Sequence, residues 1–364
     1  MIIYMILFSI IIGLGIHLDN KNNIRYLKVV CFIIWILMCL RDESVGVDIR
    51  NYFNLYEFDV QYSSVMNHIV DLFNVKMLLN ENLWYITLAI FRKLYISPRL
   101  FLCIVSGWLV YSFYWFAKRY AKNYLIAIIT FLTIGVFPMY MSGLRQAIAM
   151  GVVTFSYKYI QEKKIIPFIF LIIVATGFHA SAMAFLPCYF VVSFLEKLNI
   201  KRPVVTIMGT GIVGVILSGS ILNILSLVGL SQRYQEYLTM NLGTNIVLII
   251  LYYAVAFICI FMQYVAGESL NYSKNDDMKC LSIFFLVYGI ALAIWILSVK
   301  NAIISRIAYY YMLPLPIILS NSMSLFKLDF NEKIVTICII VIELLFFIAT
   351  ARGQGYGNYK FFFV

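Results

Sequence analysis

Long apolar runs recur along the whole chain and constrain its fold more than any other feature. They cover about residues 2–17, 26–40, 83–96, 99–117, 123–140, 143–160, 165–178, 181–195, 203–228, 246–265, 280–298, 303–320 and 333–351. The runs are continuous rather than alternating, and a backbone in lipid must satisfy its own hydrogen bonds, so they predict helices and not barrel strands. Charged residues make up 12% of the 364, about half the share of a soluble domain. We therefore predict an all-α, polytopic integral membrane protein.

The charge and the cysteines narrow the function classes. The net charge of +11 is interpreted as cytoplasmic loop bias and contact with membrane lipid, since no nucleic-acid motif accompanies it. The seven cysteines lie in or beside apolar runs without a C-x-x-C pair, so neither structural disulfides nor a zinc site is expected. With no D-x-D motif or histidine cluster in the sequence, no metal or other cofactor is predicted. The first run lacks a basic n-region and an A-x-A site, which indicates a retained helix.

Lysine and arginine set the predicted orientation. Six basic connections fall on the cytoplasmic side if the run 83–96 does not cross: KNNIRYLK, KRYAK, YKYIQEKK, EKLNIKR, NYSKNDDMK and FKLDFNEK. That run is short and contains Arg92 and Lys93, which favours a re-entrant or interfacial helix. We predict a single transmembrane domain over 1–364 with about 12 crossings, both termini outside, a long outer region at about 41–99 and a shorter outer loop at 229–245. A thirteenth crossing at 83–96 is the alternative.

On this topology most arginines lie on the outer face. They are Arg41, Arg50, Arg92, Arg99, Arg145, Arg233, Arg306 and Arg352. The planar guanidinium suits bidentate capture of phosphate or carboxylate, so the outer face is predicted to hold an anion. Interfacial arginines also snorkel to lipid headgroups, and this alternative is favoured for Arg92, Arg99 and Arg352.

Two predicted helix starts carry an arginine at this face. In YMSGLRQAIAM, Arg145 and Gln146 lie in the first helical turn. A cation there opposes the helix dipole, which is explained if Arg145 and the free backbone N–H groups together bind an anion. In NAIISRIAYYYMLPLP, Arg306 shares a helix face with Tyr309 and Tyr310. Charge at the membrane edge is usually functional, although snorkelling remains the alternative at both sites.

The outer region combines carboxylates with aromatic rings. Its segment LRDESVGVDIRNYFNLYEFD contains Arg41, Asp48, Arg50 and Tyr52, and Glu81 follows in NENLWY. Rings stack on the apolar faces of sugars and carboxylates accept hydroxyl hydrogen bonds, so the pattern suits a polyhydroxylated ligand. A solvated loop is the alternative, but it would not require so many aromatic residues.

The stretch GFHASAMAFLP places His179 inside an apolar segment, 165–195, that is long enough for two helices. Gly177 and Ser181 bracket a break, with Ser181 as a candidate N-cap. His179 then lies at the outer tip, on the same side as Arg145 and Arg306. Neighbouring arginines would favour neutral imidazole, the form that acts as a base. An interfacial histidine that holds the turn by hydrogen bonds is the alternative.

Several of these segments resemble one family, the EpsG-type, Wzy-like bacterial polysaccharide polymerases. RDESVGVDIRNYFNLYEF is similar to its R-x(4)-G-T-D-x(3)-Y-x(3)-F segment, with Val47 in place of the usual threonine. GLRQAIAMGVVTFSYKYIQEKK resembles its R-Q-x-[IL]-A helix, TGFHASAMAFLP its F-H-x-S-A-[LM] hairpin and SRIAYYYMLPLPI its R-x-x-x-Y helix, and GYGNYKFFF resembles the usual end. The segments occur in the family's order over nearly the full length.

The resemblance implies a GT-C-like glycosyltransferase of the bacterial cytoplasmic (inner) membrane. Such enzymes polymerise O-antigen, capsule or exopolysaccharide repeat units carried on undecaprenyl pyrophosphate, and release lipid pyrophosphate at the outer face. A chain-length regulator and a flippase are the further partners implied. His179 becomes the first candidate for the base, with Asp48 or Glu81 second. Residues expected to bind substrate or pyrophosphate are Arg145, Arg306, Arg41, Arg50, Gln146, Tyr310 and Tyr52.

Three other functions compete with this one. A glycan ligase would share the arginines, the histidine and the topology, and would differ in its acceptor. A flippase or exporter should show charges along a path through the membrane and similarity between its two halves, whereas here only Glu343 lies deep in a predicted span. A membrane O-acyltransferase would be expected to take its donor from the cytoplasm, which the outward arginines argue against.

Overall fold

The computed structural model describes residues 1–18, 23–59, 67, 69–70, 80–197, 203–218, 243–265, 276–325, 329–351 and 355–363. Regular structure in these residues is helical, apart from one isolated antiparallel bridge between Arg41 and Phe361. The prediction of an all-α fold is therefore confirmed. The predicted loop at 229–245, including Arg233, lies largely outside the described residues, and Arg352 lies outside them as well.

Most helices follow the predicted apolar runs, although the runs 123–140 and 303–320 each divide into two helices. In chain order they are α1 Ile2–His17, α2 Ile24–Leu40, α3 Ile49–Asn54, α4 Asn82–Lys93, α5 Pro98–Tyr120, α6 Tyr124–Thr133, α7 Phe137–Ser142, α8 Leu144–Gln161, α9 Ile165–Phe178, α10 Pro187–Lys197, α11 Pro203–Ser218, α12 Ile246–Val265, α13 Asp276–Leu297, α14 Ser305–Met312, α15 Leu315–Leu325 and α16 Asp329–Ala351. A π-helical turn, Leu55–Asp59, follows α3, and 3₁₀ helices Ala180–Phe185 and Ala302–Ile304 precede α10 and α14.

Five of the described helical segments are long and apolar enough to cross a membrane. They are Pro98–Tyr120, Ala180–Lys197, Ile246–Val265, Asp277–Leu297 and Ile334–Ala351. A sixth candidate combines Ala302–Met312 with Leu315–Leu325, which are bent by 50°. Four shorter apolar helices, Ile2–His17, Tyr124–Thr133, Ile165–Phe178 and Val204–Ser218, have fewer residues than a full crossing needs. The protein is thus a multi-pass membrane protein, while the count of about 12 crossings stays a prediction.

The short helix α4 lies where a non-crossing segment was predicted. Its 12 residues correspond to about 18 Å of helix, against an apolar bilayer core of about 30 Å. Arg92 and Lys93 form its last turn, where cations are favoured by the helix dipole. By itself α4 is too short for a full crossing, and its interfacial or re-entrant placement stays a prediction.

The chain forms two compact units, which are described separately: unit 1 is Met1–Met183 with Asp329–Val364, and unit 2 is Ala184–Leu328. In unit 1, α5 packs against α2 and α8, α8 packs against α9, and α9 packs against α4. A Cβ at Gly177 would approach the Leu83 side chain to 2.6 Å. Glycine therefore allows the end of α9 to lie directly against the start of α4.

The C-terminal segment of unit 1 returns to the start of the outer region. The backbone N–H of Phe362 donates to the Leu40 carbonyl at 3.0 Å, and that of Asp42 donates to the Lys360 carbonyl at 2.9 Å. The rings of four residues contact one another in this unit, with centroids 5.1–6.2 Å apart: Tyr4, Phe347, Tyr356 and Tyr359. Residues 355–363 thus fix the backbone at 40–42 by hydrogen bonds that need no particular side chain.

In unit 2, α13 packs against α11 and α14, and α12 packs against α15. The Trp295 indole lies 5.1 Å from the Tyr252 ring, centroid to centroid, and donates from Nε1 to the Met312 sulfur at 2.9 Å. Pro314 and Pro316 lie at the bend between α14 and α15, where proline removes helical hydrogen bonds and explains the kink.

Candidate functional site

Three helix ends of unit 1 bring a glutamate, an arginine and a histidine together. Glu81 immediately precedes α4, Arg145 lies in the first turn of α8, and His179 immediately follows α9. The packing of α9 against both α4 and α8 brings the three positions to one place. We call Glu81, Arg145 and His179 the Glu81 cluster.

Glu81 is the centre of this cluster because it divides its two carboxylate oxygens between the other members. Oε1 lies 2.5 Å from His179 Nδ1 and accepts the Ala180 backbone N–H at 3.2 Å. Oε2 accepts a hydrogen bond from Arg145 Nη1 at 2.5 Å. Glu81 and His179 are buried, at 9% and 8% exposure. Charge-assisted bonds of this length in a partly dry site are strong and fix geometry.

The local backbone explains how Glu81 reaches both partners. Its φ of 56° and ψ of 36° place it in the left-handed region, which residues other than glycine rarely adopt. Such a conformation costs about 1–3 kcal/mol and persists where surrounding contacts determine it. Gly177 contributes the second condition, since a side chain there would push α9 away from Leu83. The strained backbone therefore lies at Glu81, the residue that binds both Arg145 and His179.

The electrostatics of the cluster determine which atoms carry protons. Burial acts to raise the pKa of Glu81, but the hydrogen bond and charge of His179 and the charge of Arg145 outweigh it, so the pKa stands below its ordinary value. Glu81 is therefore a carboxylate at neutral pH and only accepts hydrogen bonds. It follows that His179 Nδ1 donates its proton to Glu81, and that Nε2 of the neutral ring carries the lone pair.

Arg145 occupies a position that the helix dipole disfavours. A cation in the first helical turn loses about 0.3–1 kcal/mol relative to a neutral residue, and the sequence predicted that an anion compensates. The structure supplies an anion from the chain itself, the Glu81 carboxylate. Gln146, the next residue of α8, is buried.

Aromatic side chains form the wall beside Arg145. The Tyr52 ring lies 5.9 Å from the Arg145 guanidinium carbon and 5.4 Å from the Trp84 ring. Tyr52 is buried, and its predicted contact with a sugar stays a prediction. Trp84 was not predicted, although NENLWY places it one helical turn after Glu81. Its spacing was the signal that could have identified it.

The other predicted residues of the outer region lie in different settings. Asp48 is half-buried just before α3, and its side chain does not cap that helix. Arg50 is exposed and forms an ion pair with Glu43, with Nε 3.1 Å from Oε1. Val47, which replaces the family's usual threonine, exposes its side chain, while its N–H donates to Ser142 Oγ at 3.3 Å.

Arg41 is fully buried rather than presented at the surface. Its Nη1 lies 2.8 Å from the Met141 sulfur, and its carbonyl accepts a hydrogen bond from the Arg99 guanidinium. Arg99 also stacks on Phe362 at 4.3 Å and on Phe53 at 5.5 Å. Arg99 was interpreted as a headgroup-seeking arginine, but the structure gives it a protein contact on each side.

Two predicted site residues belong to unit 2. Arg306 is exposed in the first turn of α14, and Tyr310 is fully buried on the same helix. The joint action of Arg145 and Arg306 on one pyrophosphate stays a prediction.

Ser181 lies inside the 3₁₀ helix Ala180–Phe185, so its assignment as the N-cap of the next helix is wrong. The chain break itself is where Gly177 and Ser181 placed it, because α9 ends at Phe178.

Comparison with known proteins gives one informative match. Neither the curated proteins nor the solved structures contain a match to this chain. The family model described as the EpsG family matches residues 24–362, which include the Glu81 cluster, the outer region and the returning C-terminal segment. That family points to polysaccharide biosynthesis in a membrane through a glycosyltransferase-like polymerase. Because the match covers nearly the whole chain, this protein belongs to the EpsG family.

Proposed function

We propose that the protein polymerises glycan repeat units carried on undecaprenyl pyrophosphate, at the outer face of the bacterial cytoplasmic membrane. The growing chain moves from its lipid carrier onto a new lipid-linked unit, and lipid pyrophosphate is released. The observation that carries this proposal is the Glu81 cluster, in which a carboxylate-held histidine lies beside an arginine. Family membership supports the polymerase class.

The cluster supplies the two functions that such a transfer needs. A sugar hydroxyl is a poor nucleophile, so its proton must be removed as it attacks. His179 Nε2 is suited to accept that proton, since Glu81 holds the ring through Nδ1 and stabilises the imidazolium that forms. The acceptor oxygen bonds to the anomeric carbon of the donor while the bond from that carbon to the pyrophosphate oxygen breaks, leaving its electron pair on the pyrophosphate.

Arg145 is suited to stabilise the charge that develops on the leaving pyrophosphate. Guanidinium donors directed at a developing anion are a main electrostatic source of rate enhancement. In the proposal Tyr52 and Gln146 border this site and Arg50 meets the acceptor, while Arg306 and Tyr310 of unit 2 stay predicted substrate-binding residues. Glu81 acts through His179, because both of its oxygens are engaged. Asp48 remains the second candidate for the base. Arg41, fully buried, shapes the outer region.

The proposal is tested by the sizes of lipid-linked and surface glycan in cells that lack the protein and carry a variant. Wild type should restore a ladder of polymer lengths, whereas His179→Ala should leave single repeats on the lipid in the outer leaflet. A general base contributes about 10²–10⁴-fold to rate, so the loss should be nearly complete at equal protein level. His17→Ala is the matched control, since His17 is exposed at the end of α1.

Other outcomes would replace the proposal. A ladder that persists without the protein but never reaches its final acceptor would indicate a ligase. Repeats that accumulate on the cytoplasmic leaflet would indicate a flippase. Full activity of His179→Ala would remove His179 from the mechanism and leave Asp48 as the base to be examined.

A further inference from the structure

The Glu81 cluster contains an internal competition that the proposed reaction would disturb. At rest, Arg145 neutralises the same carboxylate that orients His179. Both bonds are 2.5 Å long, and each takes a different oxygen of Glu81. One carboxylate charge is therefore shared between a permanent cation and a titratable ring.

The three side chains of the Glu81 cluster differ in their exposure to solvent. The Arg145 side chain is 23% exposed, against 12% for Glu81 and 10% for His179. An anionic group that approaches from outside therefore meets Arg145 first. Arginine binds a phosphate at least as well as a carboxylate, because the fork of the guanidinium fits both. A bound phosphate would draw Arg145 away from Glu81 or share its charge.

We propose, building on the proposed function, that the pyrophosphate of the donor lipid activates His179 through Glu81. When the phosphate pairs with Arg145, the Glu81 charge is left to act on His179 alone. A carboxylate without a competing cation stabilises the imidazolium, so the neutral His179 ring accepts the proton of the acceptor hydroxyl more readily once the donor is in place. Glu81 is thereby a positioning residue that couples donor binding to proton transfer.

The coupling has a use in this chemistry. A base that is weak until the donor arrives does not activate the acceptor hydroxyl, or water, at an empty site. By linkage, the effect is reciprocal, and protonation of His179 strengthens phosphate binding at Arg145 by the same factor. Four ionisable groups act on the protonation of His179. Glu81 lies beside the ring, Arg145 lies beside Glu81, and Tyr52 and Tyr85 interact with Arg145.

The test measures the protonation of His179 through the ¹³Cε1 NMR signals of histidine-labelled full-length protein in detergent. Only three histidines are present, and His179→Asn identifies the signal. A short-chain polyprenyl pyrophosphate is the probe, with sulfate at equal ionic strength as the control anion. In wild type at pH 7 the probe should raise the ratio of protonated to neutral His179 about tenfold, within the 5–150-fold range common for coupled sites.

Two variants separate the relay from a direct effect of the bound phosphate. In Glu81→Gln the probe should change the ratio less than about threefold, because only its direct field remains. In Arg145→Met the protonated His179 ring should already be favoured before the probe is added. The ratio of protonated to neutral His179 should then change little when the probe is added. Arg145→Met serves as an independent test if Glu81→Gln does not fold.

The proposal is overturned if wild type and Glu81→Gln respond equally, if Arg145→Met leaves the resting His179 signal unchanged, or if wild type does not bind the probe. Its failure is distinguishable from failure of the proposed function. A ladder of glycan lengths that requires His179, combined with equal responses in the two proteins, would retain the polymerase and reject the relay.

Discussion

Arg145 and Arg41 lie in the same unit, yet the chain surrounds their charges in opposite ways. Arg145 is partly exposed and paired with the Glu81 carboxylate at 2.5 Å. Arg41 is fully buried, no ion pair to it is found in the described part of the chain, and its Nε and Nη2 atoms have no hydrogen-bond partner there. Burial lowers the pKa of Arg41 to about 10, so it is still a cation at neutral pH.

The difference separates an enclosed arginine from one that is proposed to bind substrate. Arg41 is enclosed by the Met141 sulfur and the rings of Tyr4 and Tyr359, and residues 355–363 pair with the backbone beside it. A charge fixed in this way is not available to a substrate. The Arg145 charge is held by a carboxylate, which an incoming phosphate would replace under the proposed function. The environment of Arg41 therefore favours a structural role over the predicted binding of substrate or pyrophosphate.

Removal of each charge is the strongest test of this comparison. Arg145→Met should reduce polymer synthesis by at least about 100-fold, as loss of one transition-state donor does. It should also lower stability by about 3 kcal/mol, at the low end for a broken buried pair because Arg145 is partly exposed. Arg41→Met should change stability by less than about 1 kcal/mol, since Met fills most of the volume and no carboxylate is orphaned. Thermal unfolding in detergent measures both.

A double variant sharpens that result. Adding Glu81→Gln to Arg145→Met should recover part of the lost melting temperature, because the unpaired carboxylate is removed as well. A loss of stability in Arg41→Met that equals the loss in Arg145→Met would show that the two arginines are equivalent and end the comparison.

The next effect concerns the approach of helices that the Glu81 cluster needs. Gly177→Ala should place a Cβ 2.6 Å from Leu83, forcing α9 and α4 apart and lowering stability by about 1–3 kcal/mol, as overpacking does. Small displacements at a catalytic group reduce rate strongly, so polymer synthesis should fall as well. Gly13→Ala is the control, since a Cβ there has nothing within 4 Å. Equal behaviour of the two variants would show that Leu83 moves aside without disturbing His179.

Much of this arrangement was accessible from sequence, and what was missed has a physical reason. Apolar runs predicted most of the helices, because hydropathy is a local property of the chain. Arg145 and His179 were identified because a cation at a helix start and an imidazole in an apolar segment are locally unfavourable. Glu81 was named as a candidate base, but its contacts join residues 64 and 98 positions apart in the chain, a separation at which local patterns carry no information.

The role of Arg41 was beyond sequence reasoning for a similar reason. Its neighbours come from the first helix, from Met141 and from the C-terminal segment, and the pairing of Arg41 with Phe361 spans nearly the whole chain. Composition and motif order mark Arg41 as one outer arginine among several. The burial of the Arg41 side chain depends on residues 355–363, whose position beside it only the structure gives.

A smaller effect tests the enclosure on the Arg41 side. Phe362→Leu removes the ring 4.3 Å from the Arg99 guanidinium and should lower stability by about 1 kcal/mol, within the range of a partly desolvated cation–π contact. Phe170→Leu on α9 is the control, since that side chain is 63% exposed. Equal melting temperatures for the two variants would mean that backbone pairing alone holds the C-terminal segment.

The smallest expected effect is the pH dependence of the Glu81 contribution. The folded state lowers the pKa of Glu81 below its reference value of 4.5, so its stabilising contribution is complete above that value and is lost as the pH falls through the folded pKa. The difference in melting temperature between wild type and Glu81→Gln should therefore not shrink between about pH 8 and about pH 5, and should shrink only below the reference value. A difference that already narrows between pH 7 and 5 would show that His179 and Arg145 do not hold the carboxylate in its charged form, and the assignment of the Nδ1 proton to His179 would be lost with it.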